Sequence, residues 1–294
     1  MIWTADTVIY RGVSMDAAYS GDTLVWKKDN NDYFTLKVVS SGTISFNFNT
    51  KNTEMSINNG EYTIIGTRTE NFNTGDTIKL RGTEQNYTSM NGYFYGTAKF
   101  KAMGNILSLV YGDDYDGKTT AHQFSRFFKD CTSLVDANEL ILPSTSVFNS
   151  GYQSMFYNCT SLLSAPELPA TTLDYMSYEA MFGGCSSLIN PPSVLPATTL
   201  PINCYQNMFT NCTSLTDSPL LPAATLNQLS YARMFYNCSS LNNITCLATD
   251  ISAIDCLTVW VYGVNQTGTF VKASGSTWTT GDNGIPEGWT VVEQ

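Results

Sequence analysis

The sequence predicts a mainly β chain with short helices: an N-terminal β-sandwich-like domain, then a solenoid of repeats, closed by a C-terminal β cap. Two observations carry this reading. The first is a phrase that recurs in register through the second half, an aromatic or Met-Phe pair followed by Cys, Thr or Ser, Ser and Leu. Its cysteines, Cys131, Cys159, Cys185, Cys212 and Cys238, step by 28, 26, 27 and 26 residues, the period of a stacked repeat. The second is a first half written in short alternating runs bounded by Asn-Gly, Ser-Gly and Thr-Gly-Asp turns. The chain divides accordingly into an attachment hairpin segment (1–30), an antiparallel β-sandwich-like domain (31–111), five repeat units (112–247) and a β cap (248–294).

Within each unit a Tyr stands three residues before the Met (Tyr152, Tyr178, Tyr205, Tyr231), and a Leu-Pro step follows (Leu142-Pro143, Leu168-Pro169, Leu195-Pro196, Leu221-Pro222). Tyr-x-x-Met-Phe fits one to two helical turns with its apolar residues on one face, and a Pro shortly after forbids continuation. The unit therefore reads as a short helix, a turn and an extended stretch. No such unit buries its own apolar side, whereas stacked copies bury continuous columns. The expected core is Phe156, Phe182, Phe209 and Phe235, Leu162, Leu188, Leu215 and Leu241, and the five cysteines in register. Asn158, Asn211, Asn237 and Gly184 precede their cysteines and suit a helix C-terminus that needs the left-handed conformation.

A ladder of cysteines could be read as a metal column or as disulfides, but the chain has neither Cys-x-x-Cys pairs nor histidine partners at zinc spacing. Small buried hydrophobes with free thiols fit better. Cys204, Cys246 and Cys256 fall off register, and a Cys246–Cys256 bridge stays open.

The phrase Met155-Phe156-Tyr157-Asn158-Cys159-Thr160-Ser161-Leu162 and its four sister copies resemble the leucine-rich repeat of the Bacteroides surface protein A type, over about residues 124–247. The resemblance implies a leucine-rich-type solenoid and, for function, an adhesive or protein-binding surface module of a kind that also occurs in proteins of Bacteroides-infecting (crAss-like) phages. This chain departs from the common form in placing Pro166, Pro192 and Pro219 within the extended segment, so those strands should be short or irregular. Near the start, Tyr19-Ser20-Gly21-Asp22-Thr23-Leu24-Val25-Trp26 nearly copies Tyr10-Arg11-Gly12-Val13 and resembles a segment found near the start of tail and fibre proteins of such phages. An ordinary hairpin with a buried Trp explains it equally well.

With 15 basic against 25 acidic residues the formal charge is −10, without a basic run, which argues against nucleic acid and anionic membrane surfaces as partners. No window approaches the ~18 apolar residues of a membrane helix, so no membrane insertion is expected. The opening Met1-Ile2-Trp3-Thr4-Ala5-Asp6 lacks a basic region and an apolar run, so either a leader has been trimmed or the protein is assembled in the cytosol. Eight cysteines without framework spacing favour a reducing compartment.

The strands of the first half are expected at Tyr33–Val39, Thr43–Phe48, Met55–Ile57, Tyr62–Ile65, Thr77–Arg81 and Gly96–Lys101, with Asn58-Asn59-Gly60 and Asn73-Thr74-Gly75-Asp76 as turns. Asn105 to Tyr111 would lead into the repeats as a capping strand. After Cys246, aromatics spaced by Gly turns (Trp260 to Val264, Gly268 to Val271, Trp278 to Gly281, Trp289 to Val292) should cover the end of the stack; an exposed platform for sugar stacking is the alternative.

Little points to chemistry. His122 is the single histidine and has no Gly-x-Ser-x-Gly elbow, which disfavours a Ser-His-acid enzyme. Gly112-Asp113-Asp114-Tyr115-Asp116-Gly117 lacks EF-hand spacing and reads as a solvated turn. Asn-x-Ser/Thr matches such as Asn158-Cys159-Thr160 coincide with the repeat turn and read as structural. No catalytic, cofactor or metal site is expected. The sequence reading is a non-enzymatic virion component in a fibre, tail or capsid-surface position, its partners other virion proteins and a host cell-surface glycan or protein, and itself a homo-oligomer. Glu179, Gln206 and Arg233, two to three positions before the Phe, are the expected outward binding side chains. A bacterial cell-surface adhesin of the same repeat type is the second reading, and a carbohydrate-active enzyme a distant third.

Overall fold

The structure, a computed structural model, describes residues 32–48, 52–88 and 90–294 with their side chains, and before them the backbone of five strands. Two compact units result, Met1–Asp32 and Tyr33–Gln294. In the first, β1 (Ile2–Trp3), β2 (Val8–Tyr10) and β3 (Val13–Met15) form an antiparallel sheet, and β4 (Ala17–Ser20) pairs with β5 (Thr23–Lys27). The two near-copied phrases fall where Tyr10 pairs Val13 and Ser20 pairs Thr23. The surroundings of Trp26, on which the docking and buried-Trp readings both rest, lie outside the described residues.

The second unit is mainly β. Its first half holds β6 (Thr35–Ser40), β7 (Gly42–Asn47), β8 (Thr53–Ile57), β9 (Thr63–Ile64), β10 (Thr67–Phe72), β11 (Thr77–Gly82), β12 (Phe94–Gly96) and β13 (Lys99–Asn105). One sheet runs β10-β7-β12. The other places β13-β6-β11-β8-β9 beside β14 (Leu134–Ile141), which pairs parallel to β13 and carries the sheet into the repeats. Alternation buries Leu36, Val38, Ile44, Phe46, Ile78, Leu80 and Phe100. Phe94 of one sheet meets Phe100 of the other at a ring separation of 6.1 Å, and Phe34, just before β6, at 6.3 Å. Asn58 and Asn59 take left-handed conformations at the expected turn, where the Asn58 Oδ1 accepts from Thr77 N at 2.9 Å.

Residues 106–111 correct the sequence reading. They are not a strand: α1 (Ser108–Tyr111) is a single helical turn followed by a 3₁₀ turn, Gly112–Asp114. An apolar run buried on every side has no period to separate strand from helix. Here Ile106, Leu107, Leu109 and Val110 are all buried, and Ser108 Oγ is fixed between Phe34 N and Leu80 O.

The repeats hold a larger correction, because the Tyr-x-x-Met-Phe segments are not helices. Left-handed residues occur at every fourth position: Ser150, Ser154, Asn158; Met176, Ala180, Gly184; Asn203, Asn207, Asn211; Leu229, Arg233, Asn237. Alternate N–H groups bond three residues back (Gln153 to Ser150, Met155 to Tyr152, Tyr157 to Ser154, Cys159 to Phe156). The intervening ones, from Ser150, Tyr152, Ser154, Phe156 and Asn158, donate instead to Tyr175, Ser177, Glu179, Met181 and Gly183 of the next coil. A helix would turn its donors back along its own chain, four residues at a time, rather than across to a neighbour. So short a helix is marginal in water, whereas a coil that sends half its donors to a neighbour is held by the stack. Each non-glycine left-handed residue costs about 1–2 kcal/mol, which these bonds offset.

The extended limbs align in parallel: β15 (Ser146–Val147) with β16 (Thr172–Leu173), and β17 (Asp217–Leu221), β18 (Asn243–Cys246), β19 (Thr269–Lys272) and β20 (Thr290–Glu293) in one sheet. Around Pro166 and Pro192 the ladder thins to the single bridges Ser164–Asn190 and Val194–Leu220, and β17 slips register beside Pro219. The turn pattern also continues past the five phrases, through Asp255, Val259 and Gly263. Phe235 N donates to Trp260 O as Phe209 N does to Met234 O, so Trp260 stands in a Met position and residues 260–263 lie in turns.

Candidate functional site

Equivalent side chains of successive coils stack into columns. The Phe rings 128, 156, 182, 209 and 235 follow one another at 5.2, 5.3, 5.5 and 5.7 Å, nearly parallel. Beside them run Tyr152, Tyr178, Tyr205 and Tyr231, entered from Phe124. Trp260 ends both columns, 5.9 Å from Phe235 and 6.4 Å from Tyr231. Leu162, Leu188, Leu215 and Leu241 form a fully buried column of their own.

All eight cysteines are free and buried, Cys246 and Cys256 among them. In the columns each thiol donates to the preceding coil's Phe carbonyl: Cys159 to Phe128, Cys185 to Phe156 and Cys238 to Phe209 at 3.0 Å, and Cys212 to Phe182 at 3.1 Å. Burial pushes the Cys131, Cys185 and Cys238 thiols up to about 12, and those of Cys159 and Cys212 well above the ordinary range. Thiols so desolvated are poor nucleophiles and poor metal ligands.

Outside the core, Asn158, Gly184, Asn211 and Asn237 sit left-handed at the predicted turn. Asn158 Nδ2 donates to Asp130 of the preceding coil at 3.0 Å, and Asn237 to Asn211 at 3.2 Å. At Gly184 an added Cβ would lie 2.1 Å from Asn158 Oδ1, so a side chain there would displace the Asn158 amide. The Asn-x-Ser/Thr matches thus supply rungs between coils.

Of the expected binding residues, Glu179 and Gln206 occupy equivalent positions in adjacent coils and are partly buried, with Gln153 Nε2 donating to Glu179 at 2.6 Å. Arg233 lies one position further along its coil, is exposed, and stacks over the Tyr236 ring at 5.7 Å. The structure adds what the sequence reading missed: Tyr236 and Tyr262 stack at 5.1 Å on the outer side, with Tyr262 46% exposed. A signal was present in the Tyr that follows two of the repeat Phe residues, Tyr157 and Tyr236, but the turn pattern that brings in Tyr262 was not visible. Such a face offers aromatic, amide and guanidinium groups, the usual furniture of a contact surface.

The C-terminal tryptophans face inward. Trp260 and Trp289 are buried, and Trp260, Trp278 and Trp289 donate their Nε1–H to Gly284 O, Ala248 O and Asn265 O. Packed this way, Trp260 and Trp289 have no free ring face for a sugar. His122 has both nitrogens engaged, Nε2 with Tyr111 Oη at 2.9 Å and Nδ1 with Gln85 O at 3.0 Å. Asp113 is not a bare solvated carboxylate: it pairs with Arg81 at 2.9 Å and accepts from Tyr33 Oη at 2.8 Å. Among the described residues no three His, Cys, Asp or Glu side chains are grouped to hold a metal, and no helix is long and apolar enough to cross a membrane.

Fold and surface together define a mainly β chain whose second half joins equivalent backbone positions of successive repeats by hydrogen bonds. Compared with known proteins, the chain matches no family model, no curated protein and no solved structure.

Proposed function

We propose that this protein is a non-enzymatic structural and attachment component of a phage virion, in a fibre, tail or capsid-surface position, that presents its repeats to a glycan or protein on a Bacteroides-like host cell. On this reading residues 112–247 are a leucine-rich-type solenoid, residues 31–111 a β-sandwich-like domain, residues 248–294 a β cap, and the N-terminal strands the attachment to neighbouring virion proteins. The observation that carries it is the coil-to-coil register, which repeats each outward position along one face, as a binding surface built from copies requires. Eight buried free thiols suit assembly in a reducing cytoplasm.

The reading is tested by adding fluorescently labelled protein to whole host cells. Saturable binding is expected, reduced at least about tenfold by Arg233→Glu together with Tyr262→Ala, while the same variant keeps its circular dichroism. Binding that is absent, or that is unchanged by this double substitution, contradicts it.

A further inference from the structure

A cavity of about 440 Å³ opens beside β8, β9 and β11, lined among others by Asn52, Glu54, Ile64, Arg81, Thr83 and Asp113. From this cavity we infer that the protein carries a second binding site, for an uncharged saccharide unit, away from the repeat face. The volume lies within the range of about 300–1,000 Å³ typical of small-molecule sites. Arg81 is held from several directions: its Nε donates to Glu54 at 2.9 Å, its Nη1 to both oxygens of Asp113 at 2.9 and 3.0 Å, and its guanidinium lies 3.9 Å over the Tyr62 ring. Asp113 is held in turn by Tyr33 Oη, and Asn52 by Glu84 at 3.0 Å. Such a web fixes the polar groups before any ligand arrives, which lowers the ordering cost of binding.

Charge decides the ligand class. Two carboxylates flank one guanidinium, with Glu84 behind Asn52, while Lys118 stands over the Tyr111 ring and Arg68, paired with Glu70, bonds Ile64 O; four carboxylates against three cations leave the surroundings slightly negative, which disfavours an anion. Divalent cations are disfavoured for the converse reason, since the Arg81 cation already sits between the carboxylates. What remains is a ligand rich in hydroxyls, able both to donate to carboxylates and to accept from an amide and a guanidinium. Ile64, 57% exposed, and Tyr111 supply the apolar wall against which a sugar ring's C–H face would rest. The floor is backbone. Gly82 is packed so that an added Cβ would lie 2.7 Å from Asn52 O, and Gly112 is left-handed at φ 57.

This inference goes beyond the attachment reading, since it places a ligand away from the repeats, and it is tested independently of it, with free sugars in solution. Saturation-transfer NMR is run with a panel of neutral hexoses, 6-deoxyhexoses and N-acetylhexosamines, and with sialic acid as the anionic counter-probe. At least one neutral sugar should give saturable transfer at about 10 mM or below, weakened at least about tenfold by Ile64→Arg, which fills the cavity from an exposed position, and by Asn52→Ala. Thermal melting confirms that both variants fold. No transfer from any neutral sugar, preference for sialic acid, or full-strength transfer in Ile64→Arg overturns the site. Cell binding can fail while sugar binding stands, and the reverse, so the two readings fall separately.

Discussion

Raising the pH past 9 should unfold this protein steeply. Buried thiols carry the effect: Cys131, Cys185, Cys238 and Cys246 hold their protons to about 12 in the folded chain because burial disfavours the thiolate. Unfolded, each would release its proton near its ordinary value of about 8.5. A group whose value is raised by folding contributes nothing pH-dependent below the unfolded value. Above it, the unfolded chain has lost a proton that the folded chain still holds, so stability falls until the folded value is reached. The slope is about 1.4 kcal/mol per pH unit for each such group, and four together exceed 5 kcal/mol per unit, against a total of about 5–15 kcal/mol for a domain. Tyr152, raised to about 12 by burial, adds to the loss from about pH 10. Denaturant melts between pH 7 and 11 should show a flat stability to about pH 8.5 and collapse by about pH 10.5, with Cys185→Ala shallower by one group's slope. Stability that stays level to pH 11 would mean that the thiol column is not buried as described.

Removing the Trp260 side chain should be the most damaging single substitution. Its ring ends both aromatic columns, meets Phe270 at 6.1 Å and Trp278 at 5.8 Å, and donates to Gly284 O at 2.8 Å. Trp260→Ala therefore opens a cavity at the end of the stack and strands a buried carbonyl, a combined cost of about 3–5 kcal/mol. In a stack held by nearest neighbours, damage at an end frays that end first. Limited proteolysis of the variant should cut within residues 245–290 before anywhere else in the repeats. Tyr262→Ala, at an exposed position of the same coil, should stay within about 0.5 kcal/mol of the parent. A Trp260→Ala variant as stable as Tyr262→Ala would show that the columns do not depend on that ring.

The periodic part of this fold was written in the sequence, and its local geometry was not. Cysteine spacing, the Phe and Leu columns and the left-handed Asn158, Asn211 and Asn237 followed from the copies alone, because a residue recurring in register must meet its own equivalent. The helix reading failed because Tyr-x-x-Met-Phe has the same apolar spacing in a helix and in a train of turns. What separates them is a left-handed residue at every fourth position, and these are Ser, Met, Ala, Leu and Arg as often as Asn or Gly. Strand β10 was missed for a different reason. Thr67-Arg68-Thr69-Glu70-Asn71-Phe72 buries only Phe72 and lies at a sheet edge, so it carries almost no apolar alternation. The Arg81 cavity was equally hidden, since Glu54, Arg81 and Asp113 are brought together only by the pairing of β8 with β11 and the turn after α1.

The central claim is that this protein belongs to a virion, and protein identification by mass spectrometry on density-gradient-purified phage particles, beside washed outer membranes of uninfected host cells, tests it most directly. Enrichment at a fixed copy number in the particles is the predicted result. Enrichment in the membranes of uninfected cells, with none in the particles, would contradict it and make the protein a cell-surface adhesin.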